Sequence, residues 1–431
     1  MGVSGEISKK LDKSQKNRFF YQTNYKKIVY FVLKKFYNVF VVYSGKCRYL
    51  CEATIIYYKY RNWLKGFLRG EVQYMKARDI LKDLVAINTI GDKCNHEIMD
   101  YIEAFYDKLG ISVERRANEK TGKEVLIASY GKDPAMGFMG HTDTVDITDG
   151  WVTDPFVLTE KDDGMLYGLG ACDMKGGMAC WMAAIANTDL PSLRRGFKCY
   201  HTYDEEIMFE GVYDLVNAHE KFPPHIIVAE PTDFKPAIGS KGLLEIIFTF
   251  RGVTTHSSTP IDGKSSNKNA VRFLNKMMDF ELELRKNRTE FFGIPYPTMN
   301  IGIINGGTSI NKVPAETTIY LDFRICDSER EYPLIRKFID DALEGVDASY
   351  EIINDIPSFV NKSKLVKVYE EKTGTPGAPF FGITEGSFFP GDKIIIGPGP
   401  MTAHEKNEHV SIEHLEKTQK LYEEMLKIVC D

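Results

Sequence analysis

Met136-Gly-Phe-Met-Gly140 runs directly into His141-Thr-Asp143. The five leading residues carry no charge and no polar side chain, and the run is too short for a helix. It reads as a strand buried between covering layers. Such strands build parallel sheets in α/β proteins, and ligands of those sheets gather at the carboxyl ends of the strands. His141 and Asp143 would then sit where chemistry is done. Outward from this segment the same kind of apolar run recurs at 125–128, 197–201, 226–229 and 393–396. Helical periodicity fills the intervals, at 75–87, 96–109, 176–185, 211–219 and 412–428, with Gly110 as a natural stop. Strands separated by helix-length segments predict an α/β fold: a mixed, mainly parallel sheet flanked by helices, joined by crossovers.

The rhythm changes near Ser240. A long strand at 243–251, ended by Gly252, is followed by a helix at 267–286 and strands at 299–304 and 317–324. A helix at 330–343 and a strand at 349–353 complete the run. The order β-α-β-β-α-β is ferredoxin-like. We expect an inserted α+β domain over 241–355, splitting a first domain into 75–240 and 356–431.

Length and composition fit this organisation. The chain has 431 residues and 49.1 kDa, 43% hydrophobic and 27% charged, which predicts two or three domains. Disorder, collagen and a disulfide miniprotein are excluded. Eight cysteines are scattered without a CxxC pair, and no secretory signal opens the chain, so a cytoplasmic setting is expected. The net charge of -5 hides a split: residues 1–70 carry +12 and the remainder -17. The acidic body excludes nucleic acid as its main ligand.

Residues 1–74 form a basic, aromatic-rich extension of unknown role. The run 28–43 is interrupted by Lys34-Lys35 and makes a poor transmembrane span. Three readings stand: a membrane or polyanion tether, a structured extension packed on the body, or a segment outside the functional protein. We prefer the last, because Met75 opens a well-formed amphipathic helix and would serve as an N-terminus.

Five segments place acids and histidines at predicted strand tips: His141-Thr-Asp143, Ala171-Cys-Asp173, Asp204-Glu-Glu206, Ala229-Glu230-Pro231 and Ala403-His404-Glu405. Each has an ordinary reading. His141 alone is a satisfied core histidine, Asp173 a helix N-cap, and Glu205-Glu206 an exposed helix start. The ordinary readings fail collectively. Asp143 is placed to hold the second ring nitrogen of His141, as acceptors behind metal-bound histidines do. Glycines flank Asp173 beyond what a cap needs, and let backbone approach a bound group. Glu230 ends an apolar strand, where a charge needs a partner or a metal. Two imidazoles and several carboxylates suit zinc, cobalt or manganese better than magnesium or calcium.

These motifs, with Gly140-His-Thr-Asp-Thr-Val145, Tyr167-Gly-Leu-Gly-Ala-Cys-Asp-Met-Lys-Gly-Gly177 and Glu230-Pro231, resemble the dinuclear-metal amidohydrolases of the acetylornithine deacetylase and succinyl-diaminopimelate desuccinylase group, wider relatives being aminoacylase-1 and carboxypeptidase G. The resemblance runs from about Met75 to the C-terminus. It implies two divalent metal ions, Zn2+ or else Co2+ or Mn2+, bridged by Asp173. His141 and Glu230 would complete one position, and Glu206 and His404 the other. Asp143 would orient His141, and Glu205 would be the catalytic base. In the inserted domain, a lid and dimerisation domain by the same likeness, Gly252-Val-Thr-Thr-His256 resembles the segment whose histidine reaches a neighbouring active site, implying a homodimer. Asn311 and Arg324 match positions that hold the substrate carboxylate, and a guanidinium suits that task. The ordinary readings are a turn histidine and a surface strand arginine.

The segments 292–303 and Ile383-Thr-Glu-Gly-Ser-Phe388 look closer to acetylornithine deacetylase. The expected substrate is a small N-acyl amino acid, N-acetylornithine first, cleaved to the free amino acid and acetate. Thr259-Pro260 and Gly386-Ser387 depart from that pattern near the substrate. The alternatives are a succinyl-diaminopimelate desuccinylase, a metallo-dipeptidase or carboxypeptidase, and a metal-free binding protein; the intact ligand set argues against the last.

Overall fold

A computed structural model describes residues 74–91 and 93–431. The readings of the basic extension fall outside these residues. The described chain opens with two amphipathic helices, α1 (Ala77–Val85) and α2 (His96–Lys108), whose apolar stripes are buried. Gly110, at φ +70°, ends the second. There follow β1 (Ser112–Ala117), β2 (Glu124–Tyr130), β3 (Met136–His141), the short β4 (Thr159–Glu160) and β5 (Met165–Tyr167), and α3 (Lys175–Asn187). Then come β6 (Phe197–Thr202), α4 (Glu210–Asn217), β7 (His225–Val228) and β8 (Ala237–Ser240).

The next stretch is the ferredoxin-like run: β9 (Gly242–Arg251), α5 (Ser266–Leu284), β10 (Thr298–Gly306), β11 (Glu316–Ile325), α6 (Ser328–Leu343) and β12 (Ala348–Ile356). The chain closes with β13 (Phe359–Val360), α7 (Lys364–Thr373), β14 (Ala378–Pro379), β15 (Asp392–Ile395), β16 (His409–Ser411) and α8 (Ile412–Cys430).

The large sheet has the order β1-β2-β6-β3-β7-β15-β8-β13, with β14 beside β8. Its four central strands, β6, β3, β7 and β15, are parallel, while β1, β2, β8 and β13 join antiparallel at the two sides. All six residues of β3 are buried, as its composition requires. Consequently the carboxyl ends of the four parallel strands open on one edge. Against them packs α3, buried along Lys175–Ile185, with Trp181 stacked on Phe138 at 4.7 Å between ring centroids.

The smaller sheet, in the order β10-β11-β9-β12, is antiparallel throughout. Alternate residues of β11 are buried against the helices, and Phe280 of α5 stacks on Phe338 of α6 at 4.0 Å. A third, three-stranded sheet, β16-β5-β4, ties the segment after β15 to the one before α3. The sequence reading did not include β1, α7 or this small sheet. β1, Ser-Val-Glu-Arg-Arg-Ala, is charged because it is an edge strand, so it lacks an apolar run. Among the described residues no helix is long and apolar enough to cross a membrane, and the six described cysteines are unpaired.

Candidate metal centre

His141 is the last residue of β3 and is wholly buried. Glu205 and Glu206 follow β6, Glu230 follows β7, Asp173 lies in the turn before α3, and His404 lies in the loop after β15. Four adjacent parallel strands and one turn therefore deliver all six groups to one edge of the sheet. The Nε2 of His141 is 3.2 Å from Asp173 Oδ1 and 3.9 Å from both Glu205 Oε2 and Glu230 Oε2. The Nε2 of His404 is 2.9 Å from Glu206 Oε2 and 3.7 Å from Asp173 Oδ2. Asp173 thus faces one histidine with each carboxylate oxygen. Ligand atoms of His141, Glu205 and Glu230 fall within 4.8 Å of one another, as do those of His141, Asp173 and Glu206.

On the far side of the ring, His141 Nδ1 is 3.1 Å from the Asp143 carbonyl oxygen and 3.5 Å from its Oδ1. The Oδ2 of Asp143 accepts from the Glu206 N–H at 3.2 Å, so one carboxylate steadies both a histidine and an acid of the cluster.

Electrostatics set the demand of this site. Burial, then the Glu230 carboxylate, push the Glu205 carboxyl well up. Burial, then Asp173, do the same to Glu230. Burial also raises Glu206, against the pull of His404. Burial would lower His141, but Asp143 and Asp173 overcome it and hold the ring well above the ordinary imidazole range. Asp143 is itself pushed up by burial and pulled lower still by His141, ending below its usual value. Buried carboxylates at these separations need positive charge between them. Glu206 Oε1 is buried without a hydrogen-bond partner among the described residues, leaving a lone pair for a cation. The donor set of imidazole and carboxylate fits divalent zinc, cobalt or manganese.

The remaining expected residues lie in the smaller sheet and its loops. His256 is exposed, accepts from the Ser258 N–H at 3.2 Å and bridges to Lys312, so its segment pairs with that of Asn311. Asn311 is exposed. Arg324 is held by Asp322 through two hydrogen bonds of 3.0 Å. Among the described residues no hydrogen bond or ion pair joins these three to the clustered ligands.

Asp173 is not a helix cap, since α3 begins after Met174 without a side-chain cap. Two of the glycines beside it also serve close packing: a Cβ on Gly177 would lie 2.1 Å from the Ala229 carbonyl oxygen, and one on Gly176 2.4 Å from that of Ala171.

Several supports of the site have no role in the sequence reading, and Lys123 and Glu408 are absent from it. Lys123 is buried and donates to Asp204 and to the Gly91 carbonyl, fixing the turn that presents Glu205. Asp204 itself is left-handed at φ +55°. Thr384 donates to Glu230 at 3.4 Å, and Glu385 beside it is wholly buried, pushed up to about 7 by burial. Glu408 is buried and accepts three backbone N–H groups from the Asp173 turn. The composition around Lys123 and Glu408 is that of a solvated turn, and no local pattern sets them apart from exposed neighbours such as Glu405.

The sequence profile of peptidase family M20/M25/M40 matches residues 137–428. Acetylornithine deacetylase of Photorhabdus laumondii is 29% identical over 378 residues, 82% of this chain and 97% of that protein. The acetylornithine deacetylase of Buchnera aphidicola is 28% identical over 372 residues, 81% and 97%. A tripeptidase from Staphylococcus aureus superposes with TM-score 0.66 at 22% identity, covering 83% of this chain and 99% of that one. A dinuclear metal-binding peptidase from Bacillus subtilis superposes with TM-score 0.60 at 14% identity, covering 82% and 97%.

Proposed function

The chain belongs to the peptidase family M20/M25/M40, and from that premise we propose that it hydrolyses the amide bond of an N-acylated amino acid, N-acetylornithine first, to the free amino acid and acetate. The convergence of His141, Asp173, Glu206, Glu230 and His404 around a common centre, with Glu205 among them, carries this reading. Likeness to two acetylornithine deacetylases over 97% of their length supports the choice of substrate.

Asp173 would bridge two ions, His141 and Glu230 would hold one, and Glu206 and His404 the other. Zinc is the first choice, with cobalt or manganese as substitutes. Bound there, such ions polarise an amide carbonyl and acidify a water. Glu205 takes the water proton and returns it to the leaving amine, the double task of a buried carboxylate beside the reacting water. Arg324, preset by Asp322, and Asn311 hold the substrate carboxylate through paired hydrogen bonds. His256 donates to the amide oxygen as charge develops there. Residues 241–355 act as the lid and dimerisation domain between the two catalytic segments, and the enzyme is a homodimer. A reducing cytoplasm fits the six unpaired cysteines among the described residues.

The test is a steady-state comparison of N-acetylornithine, N-acetylcitrulline, N-succinyl-diaminopimelate and a dipeptide panel on metal-loaded protein. Preference for an N-acetyl substrate is expected, and preference for dipeptides would reassign the substrate class. In the same assay Glu205→Gln should keep its metal and lose ~10²–10⁴-fold in rate; full turnover by that variant would remove Glu205 as the base.

A further inference from the structure

The two metal positions are not equally built. His141 ends β3 and Glu230 follows β7, central strands fixed on both sides by the sheet, and Glu206 likewise follows the central β6. His404 stands in a loop, at φ +63°, with 58% of its side chain exposed. Asp173 stands in the turn before α3. Glu408, four residues beyond His404 and 2% exposed, joins that turn to the His404 loop, and the Cys172 thiol adds a bond to the Pro400 carbonyl at 3.1 Å. Its Oε1 accepts from the Cys172 N–H at 2.8 Å and the Asp173 N–H at 2.9 Å, and its Oε2 accepts from the Gly170 N–H at 2.8 Å. Its main-chain carbonyl accepts from the Gly168 N–H at 3.1 Å. Immediately after it, His409–Ser411 pairs antiparallel with Met165–Tyr167.

Four bonds from one residue therefore tie Gly168, Gly170, Cys172 and Asp173 to the segment that carries His404. Three N–H donors turned inward, two of them buried and one half-buried, are costly unless an acceptor meets them. One carboxylate meets all three, and a carboxylate accepts such bonds more strongly than a neutral oxygen.

We propose that Glu408 is the positioning residue for the metal position formed by Glu206, His404 and Asp173, holding the segment that carries His404 against the turn that carries Asp173. It rests on the dinuclear reading above. The His141–Glu230 position shares only Asp173 with this arrangement and draws the rest of its geometry from the sheet and from Asp143. Loss of the carboxylate should then weaken the Glu206–His404 position more than the other, where a purely structural role would lower stability without distinguishing them.

The experiment is equilibrium dialysis of the full chain against graded Zn2+, with bound metal counted by elemental analysis and the cobalt form followed by its visible spectrum. Glu408→Gln keeps the shape but presents an N–H2 where one N–H needs an acceptor. Glu408→Asp keeps the charge and falls one methylene short. Each should bind one ion 10–100-fold more weakly than the wild type does, the usual effect of losing a group behind the ligands, with a smaller loss for the other. His404→Ala should show the same unequal pattern. Two ions bound with wild-type affinity by Glu408→Gln, or by Glu408→Asp if the former does not fold, would overturn the role of Glu408. Equal weakening of both ions would overturn it as well. A wild-type chain that binds fewer than two ions would overturn the dinuclear reading itself, and this proposal with it.

Discussion

At the scale of the residue, protons and metal compete for the same atoms. Glu206 beside it, against partial burial, raises the His404 imidazole to about 9 in the metal-free chain. A ring nitrogen must be deprotonated before it can ligate. Metal uptake at pH 7 should therefore release at least one proton per chain, and affinity should rise as pH climbs toward about 9. A titration in weakly buffered indicator reads both, and proton-neutral uptake would contradict the assignment of His404. The sign for stability follows from the same shift. A proton held more tightly in the folded state stabilises the metal-free fold fully below the unfolded value of 6.5, and that contribution disappears as pH rises through about 9. Melting of metal-free protein across this range should show the decline. The group is largely exposed, so solvent screening keeps the effect small.

At the scale of the element, the relation between α3 and β7 positions Glu230. Ala229 ends the apolar run, and Gly177 lets α3 close upon it. A methyl group there would sit 2.1 Å from a backbone oxygen, which cannot rotate away. Gly177→Ala should cost about 1–3 kcal/mol by overpacking, seen as a lower melting temperature, and should reduce bound metal. Gly293→Ala, with open space around it, is the control. A melting temperature unchanged by Gly177→Ala would show that the contact is relieved at no cost. This pair of elements also marks how far the sequence was legible. The parallel strands were readable because burial on both faces forces continuous apolar runs, and their acids stood out because a charge at the end of such a run needs a partner. The purpose of Gly177 was not readable, since the oxygen it avoids lies in another segment. Glu408 escaped for a similar reason: its donors are more than 200 residues away along the chain, the Asp173 N–H 235 away. Local pattern registers what a residue does to its own strand or helix, and not what it does to a distant backbone.

At the scale of the whole molecule, the exposed strand β10 and His256 raise one question. β10 is an outer strand of its sheet, and its residues from Gly302 to Gly306 are exposed, with Ile303 48% and Ile304 55% accessible. An apolar edge of that kind pairs with another strand or invites aggregation. Pairing of β10 with its copy about a two-fold axis would extend the sheet across a homodimer. It would also give His256 a role, because its segment has no bonded link to the metal cluster of its own chain among the described residues. Ile304→Lys should therefore shift the protein toward monomer in light scattering and lose activity together with the dimer. The stronger test mixes subunits. His256→Ala and Glu205→Gln are each expected to be nearly inactive, yet in a heterodimer one site combines an intact Glu205 with an intact His256 from the other subunit. Random exchange should then restore about a quarter of wild-type activity, half the dimers carrying one working site of two. Heterodimers verified by differential tagging but still inactive would confine His256 to its own subunit, and lid closure within one chain would have to bring it to the amide oxygen.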